Sequence, residues 1–261
     1  MTIWTEGLYD LGEEYDWLEF FAGHANGTGA VRLRGFRGAK FDIQYFADYR
    51  DSADLGTTNF MDITTPAGFC LGIIFLLKCR SYKFVAWFGL TCSSFSSMNA
   101  STSGRSPSSS TGHDFRPTVQ EGNLMVERVC LLCALTVALG GTFIVEQPGG
   151  SSVEYYPTFR GLCTSLMRND GVAAVSRVGW YMGYYFGTSL KRQYAYSNSP
   201  AVRKLQRDKV QATQRLCNLG KIKTVTRVKH PSGKERFSGT SQLKGTERLR
   251  QDLSMCCSVT I

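Results

Sequence analysis

The chain has 261 residues, with 30 Lys plus Arg against 21 Asp plus Glu for a formal charge of +9; 43% of residues are hydrophobic and 12% aromatic. That length and apolar fraction exclude wholesale disorder, a collagen and a coiled coil, and suit one α/β domain with an appendage. Nine cysteines, an odd number, and an acidic start (Glu6, Asp10, Glu13, Glu14, Asp16) where a secretory leader would be basic and then apolar point to reduced thiols in a nuclear or cytoplasmic setting.

In chain order, the first apolar run is Trp17 to Phe21; Ala39 to Ile43, Phe84 to Phe88 and Thr142 to Val145 follow. Each is short enough to be a strand buried on both faces. Between them Gly29 to Phe36, Ala67 to Arg80 and Gln120 to Leu139 suit crossover helices. The order predicts a Rossmann-like, mostly parallel sheet with helices on both faces. The longest uncharged apolar run, Val129 to Val145, has 17 residues and contains Gly140-Gly141. It falls short of the roughly 20 residues that span a bilayer, so no membrane association is expected.

Ligands of such sheets bind beyond the carboxyl ends of the strands. The first of those loops opens with Phe21-Ala22-Gly23, where glycine allows a cofactor close to the backbone and the next helix's first amides can meet an anion or carboxylate. Asp42, ending the second run, stands where a carboxylate takes ribose hydroxyls in dinucleotide-binding and related folds. Asp62, before the next helix, suits an exocyclic amine or, equally, a helix cap, as do Thr64 and Thr65.

Cys92 opens the loop after the third strand, in a Gly/Thr/Ser-rich setting that suits a nucleophile better than a core filler. Ser93 to Thr111 is dominated by Ser and Thr and reads as a mobile lid, with Arg105 available for phosphate. Cys130 and Cys133 fall on an apolar helix face with no second pair at zinc spacing, so they read as core and no metal is expected. Glu146 leaves the buried strand Phe143-Ile144-Val145 at the ligand edge, where burial should raise its pKa and suit it to share a proton with a heterocycle.

The charge is unevenly placed. Residues 1–186 hold 14 basic and 17 acidic groups, whereas 187–261 hold 16 and 4. A domain over residues 1–200 followed by a basic, partly disordered arm over 201–261 is therefore expected. Such an arm favours nucleic acid as partner, with Lys191, Arg192, Arg203 and Lys204 as candidate contacts; a solvated tail is the competing reading.

Together these motifs resemble the S-adenosylmethionine-dependent methyltransferases, specifically the DNA cytosine carbon-5 family. Leu18-Glu19-Phe20-Phe21-Ala22-Gly23 is similar to that family's Asp-Leu-Phe-Ala-Gly cofactor motif, Phe41-Asp42-Ile43 to its ribose-binding acid, and Asp62-Ile63 to its adenine-contacting Asp. Thr91-Cys92 is similar to its Pro-Cys nucleophile motif and Val145-Glu146-Gln147-Pro148 to its Glu-Asn motif. The Phe-Ala-Gly, Cys-Ser-Ser and Glu-Gln-Pro segments, with Trp180 to Gly183 and Ser197-Asn198, also resemble a group of uncharacterised algal, particularly dinoflagellate, proteins.

The resemblance covers about residues 15–200 and implies S-adenosylmethionine as cofactor, a DNA partner, Cys92 and Glu146 as catalytic residues, and Phe21, Ala22, Gly23, Asp42 and Asp62 as cofactor contacts. The chain departs from the family at His24-Ala25-Asn26, at Thr91 and at Gln147, and it has no Gln-x-Arg-x-Arg motif. These departures sustain a second reading, a non-catalytic descendant that binds nucleic acid or a protein partner. A small-molecule methyltransferase is a third, which leaves the basic arm without a role.

Overall fold

The computed structural model describes residues 12–46, 59–185 and 191–206, together with the backbone of 225–229 and 235–239; the remainder of the basic arm lies outside the described residues. Six strands form one sheet: β1 (Trp17–Phe20), β2 (Gly38–Phe41), β3 (Val85–Phe88), β4 (Thr142–Pro148), β5 (Ser176–Tyr181) and β6 (Arg192–Ser197). Their spatial order is β2-β1-β3-β4-β6-β5. The first four are mutually parallel, and β6 runs antiparallel between β4 and β5. This is a Rossmann-like, mostly parallel α/β sheet, and the four strands expected from the sequence form its larger part. A separate antiparallel pair joins β7 (Val225–Lys229) to β8 (Glu235–Gly239).

The connecting helices are α1 (Asn26–Leu33), α2 (Pro66–Leu77), α3 (Pro117–Ala138) and α4 (Pro157–Asp170). Proline opens the last three, where its missing N–H costs nothing and its fixed φ suits the first turn. The Thr65 hydroxyl caps α2 by accepting from Gly68 N at 3.0 Å. Along α3 the buried residues Val119, Gly122, Val126, Val129, Cys133 and Thr136 recur every three to four positions, one stripe of a 3.6-residue helix.

Alternation along the strands sends Leu18, Phe20, Ala86, Phe88, Phe143 and Val145 into a core closed by α2, α3 and α4. Phe20 stacks on Phe88 with centroids 4.8 Å apart and tilts against Phe41 at 5.3 Å. Cys130 and Cys133 belong to this core, as expected, and burial pushes the Cys130 thiol up to about 12.

The opposite face corrects the expectation of strands buried on both sides. There Trp17, Trp87, Ile144 and Glu146 are only half-buried. The second face is covered by α1 and by the 3-10 segment Pro200–Leu205, whose Val202 and Leu205 pack in a small cluster with Trp180 and Tyr185. No helix among the described residues is long and apolar enough to cross a membrane.

The Ser93 to Thr111 segment is also not the mobile lid its composition suggested. It folds as two 3-10 turns and a helical turn, with Ser94, Phe95, Ser103, Arg105 and Ser110 buried. The organising element is Arg105, 4% exposed, whose guanidinium lies 3.6 Å over the Phe95 ring. It donates to Ser94 Oγ at 3.0 Å, Val119 O at 3.2 Å and Asn123 Oδ1 at 2.8 Å, and also to Ser110 O. Those bonds replace the phosphate contact expected of Arg105 from the sequence: its donors are spent inside the fold.

Candidate active site

Because β2 and β3 flank β1 on opposite sides, the strand order reverses at β1, and a crevice opens there beyond the carboxyl ends. It continues along the half-covered face as a cleft of about 970 Å³. Gly23, Asp42, Cys92, Glu146, Lys191 and Lys204 all line it.

The turn after β1 is unusually constrained. Phe21, Gly23 and Ala25 have φ of 55°, 52° and 52°, a region that side chains other than glycine rarely adopt and that is often held at functional sites. Two anchors hold the turn. The Gly23 amide donates to Asp42 Oδ2 at 2.9 Å, and the Gly23 carbonyl accepts from the Gln44 and Tyr45 side chains. A Cβ at Gly23 would meet nothing within 4 Å, so the backbone here faces open space.

Behind the turn Ala25 offers α1 no side-chain cap. Glu19 does that work from β1, its Oε2 accepting from Thr28 N and Thr28 Oγ1, each at 2.6 Å. A Cβ on Gly27 would lie 3.1 Å from the Glu19 carboxylate oxygens, which explains the glycine. The carboxylate that meets the α1 amides is therefore the chain's own, and burial raises its pKa despite those bonds.

Asp42 is half-buried at the end of β2, its Oδ1 accepting from Gln44 N at 3.0 Å. One amide on each oxygen fixes the carboxylate on the rim and leaves lone pairs for further donors. Asp62 is not among the residues that line the cleft. Its Oδ1 accepts from Thr64 N at 2.8 Å and Thr64 Oγ1 at 2.7 Å, so it shapes the turn into α2 and the cap is Thr65. Thr64 thus holds the Asp62 carboxylate in the turn before α2, outside the set of residues that line the cleft.

Cys92 is half-buried on the cleft wall, in the loop after β3. That loop is tied to β4 by Gln147, which is 1% exposed. Gln147 Nε2 donates to Leu90 O at 2.6 Å, and its Oε1 accepts from Ser151 Oγ at 2.7 Å. The Gln147 amide thus spans from the Glu146 strand to the residues just before Cys92.

Glu146 projects from β4 onto the same face as Trp87 of β3. Burial raises its pKa to about 7; Lys191 opposes the rise, the nearby Glu19 charge adds to it, and the Trp87 side chain donates a hydrogen bond that opposes it. A carboxyl poised near neutrality can hold or release a proton at working pH. Lys191 and Lys204 reach the cleft, whereas Arg192 and Arg203 are exposed beside it. Among the described residues no cluster of His, Cys, Asp or Glu could hold a metal.

No protein-family model and no curated protein sequence matches the chain. Among solved structures it is similar to the S. pombe Dnmt2 methyltransferase, at 13% identity and a TM-score of 0.40, over 76% of this chain. The matched part spans 56% of that protein's length.

Sequence reasoning did not single out the roles of Glu19, Trp87 and Gln147. A signal existed for two of them. Glu19 and Glu146 are lone carboxylates in otherwise apolar strands, and Glu19 and Trp87 are register partners whose side chains share a face.

Proposed function

We propose that the chain is an S-adenosylmethionine-dependent methyltransferase acting on a cytosine ring in nucleic acid, DNA in the first instance, with Cys92 as nucleophile and Glu146 as acid. The observation that carries this reading is that one cleft is lined by Cys92, by the Glu146 carboxyl held near neutrality and by the Gly23–Asp42 turn.

The residues suit such a cofactor. Gly23 leaves its backbone open to close approach, Phe21 and Ala22 bring the chain there, and Asp42 keeps acceptor capacity for hydroxyls. When bound, S-adenosylmethionine supplies an electrophilic methyl group. The chain's own residues prepare the acceptor: the Cys92 thiolate adds to ring carbon-6 while Glu146 passes its proton to ring N3, and the electron pair released from the 5,6 double bond makes carbon-5 nucleophilic. Gln147 keeps the thiol's loop in register with Glu146 during that step.

Cofactor binding is the first test. S-adenosylmethionine at a hundred times its Kd should stabilise the protein by about 2.7 kcal/mol, read as a rise in Tm. Asp42→Ala should shrink the rise. A folded protein with no rise at millimolar cofactor would fall back to the non-catalytic binding reading.

Binding of nucleic acid is the second. If Lys191 and Lys204 each neutralise a phosphate, replacing both by alanine should reduce the slope of log affinity against log salt by about 1.8. An unchanged slope would mean that these lysines serve the cleft and not the backbone of a polynucleotide.

A further inference from the structure

Gln193 lies on β6, opposite Pro148 of β4, two positions from Ala195, which is opposite Glu146. Directly opposed residues share a face, so Gln193 is the diagonal neighbour of Glu146, about 7 Å away on the cleft side of the sheet. Ala195 between them is itself fully buried, so Gln193 is the cleft-lining residue of β6 nearest along the strand to the position opposite Glu146. Gln193 lines the cleft yet is 3% exposed.

Its hydrogen bonding is incomplete. The Nε2 donates to Met182 Sδ at 3.2 Å, a weak acceptor. The Oε1 is buried and finds no donor among the described residues. Buried polar side chains are nearly always partnered, and an exception marks strain or a place where something binds. Here the unpartnered carbonyl belongs to a residue of the cleft wall, beside the acid assigned to the target ring.

We propose that Gln193 is a second reader of the target ring, its side-chain carbonyl accepting from an exocyclic amine and so selecting amino-bearing over keto-bearing heterocycles. The proposal rests on the methyltransferase reading above and adds the residue that sets its base preference. An exocyclic amine has two N–H bonds. One can be met by Glu146 together with the adjacent ring nitrogen; the other needs a second acceptor, the role assigned to Gln193. A keto oxygen in that place would set acceptor against acceptor. The amide could relieve the clash by turning over, but would then present its carbonyl to the Met182 sulfur. Selection therefore favours cytosine over uracil without any further group.

The experiment uses the full chain with S-adenosylhomocysteine and two single-stranded thymine-tract oligonucleotides that differ in one central base, cytosine or uracil. Affinities are read from tryptophan fluorescence, since Trp87 lines the same cleft. The wild type should prefer cytosine. In Gln193→Met, which keeps the length but offers only a weakly accepting sulfur, the preference should fall about tenfold, the value of one 1.4 kcal/mol contact. A purely structural role would weaken both probes alike and leave their ratio unchanged. The ligand-free variant should also melt higher, because an unpartnered carbonyl has been removed from the interior. Gln193→Leu provides the same reading should the methionine variant not fold.

A wild type that prefers cytosine together with an unchanged ratio in the variants overturns the role of Gln193 and leaves the base site standing. A wild type that does not distinguish the probes overturns both the base-reading site and the target assigned above.

Discussion

Arg105→Met is expected to cost the fold about 3–5 kcal/mol, because it deprives several buried acceptors of their donor at once. The side chain is 4% exposed, and burial pulls its pKa down only to about 10, so it is still charged at neutral pH. Its removal leaves Ser94 Oγ, Ser110 O, Val119 O and Asn123 Oδ1 short of a donor and takes a cation from the face of Phe95. Each orphaned group carries a desolvation cost of roughly 1–3 kcal/mol unless water reaches it. Methionine keeps the aliphatic length, so the loss reports hydrogen bonds and charge more than volume. Urea denaturation of wild type and variant gives the difference directly. A change within 1 kcal/mol would mean that the Ser93–Thr111 segment stands without its arginine.

The same residue shows where composition misleads. A stretch of Ser, Thr and one arginine has few apolar side chains to bury, and so reads as a lid. Yet Ser94 sits against Gly122, where a Cβ would be 2.5 Å from its hydroxyl, and one charged group gathers four acceptors from three parts of the chain. Such long-range satisfaction has no local signature. The four parallel strands were legible for the opposite reason: Trp17 to Phe20 and Thr142 to Val145 are apolar runs whose partners follow from crossover order. Strands β5 and β6 were not, because Ser176–Tyr181 and Arg192–Ser197 mix Arg, Gln, Gly and Tyr, and the insertion of β6 between β4 and β5 pairs segments far apart in sequence. At the site, Asp42 and Glu146 were legible as lone acids at strand ends. Asp62 stands outside the cleft, where its carboxylate accepts from Thr64 in the turn before α2, a local bond that the sequence also allowed for a cap.

Covalent trapping is expected to give the largest effect of all. An oligonucleotide carrying 5-fluorocytosine should become bound to the protein in the presence of cofactor, because once carbon-5 has taken the methyl group it carries fluorine in place of the proton whose loss would expel the Cys92 sulfur from carbon-6. Cys92→Ser should abolish the adduct. Cys130→Ser and Cys133→Ser should leave the adduct intact in protein that still folds, since both thiols are buried in the core and burial raises their pKa. The pH dependence follows from Glu146, whose pKa is raised to about 7 from an ordinary 4.5. Its protonated form is the one that can give a proton to N3, so its contribution is present below about pH 7 and fades as pH rises through that value. Stability has the same sign: the folded state holds this proton more tightly than the unfolded one, so raising the pH from about 4.5 through 7 charges a buried carboxyl and destabilises the fold. Glu146→Gln should therefore slow adduct formation, remove the decline of its rate near pH 7, and flatten the stability profile across the same interval. Mass spectrometry of the trapped peptide identifies the attacking residue. An adduct that persists in Cys92→Ser would name another nucleophile, and a wild type that traps neither DNA nor RNA would leave the cleft with a binding function alone.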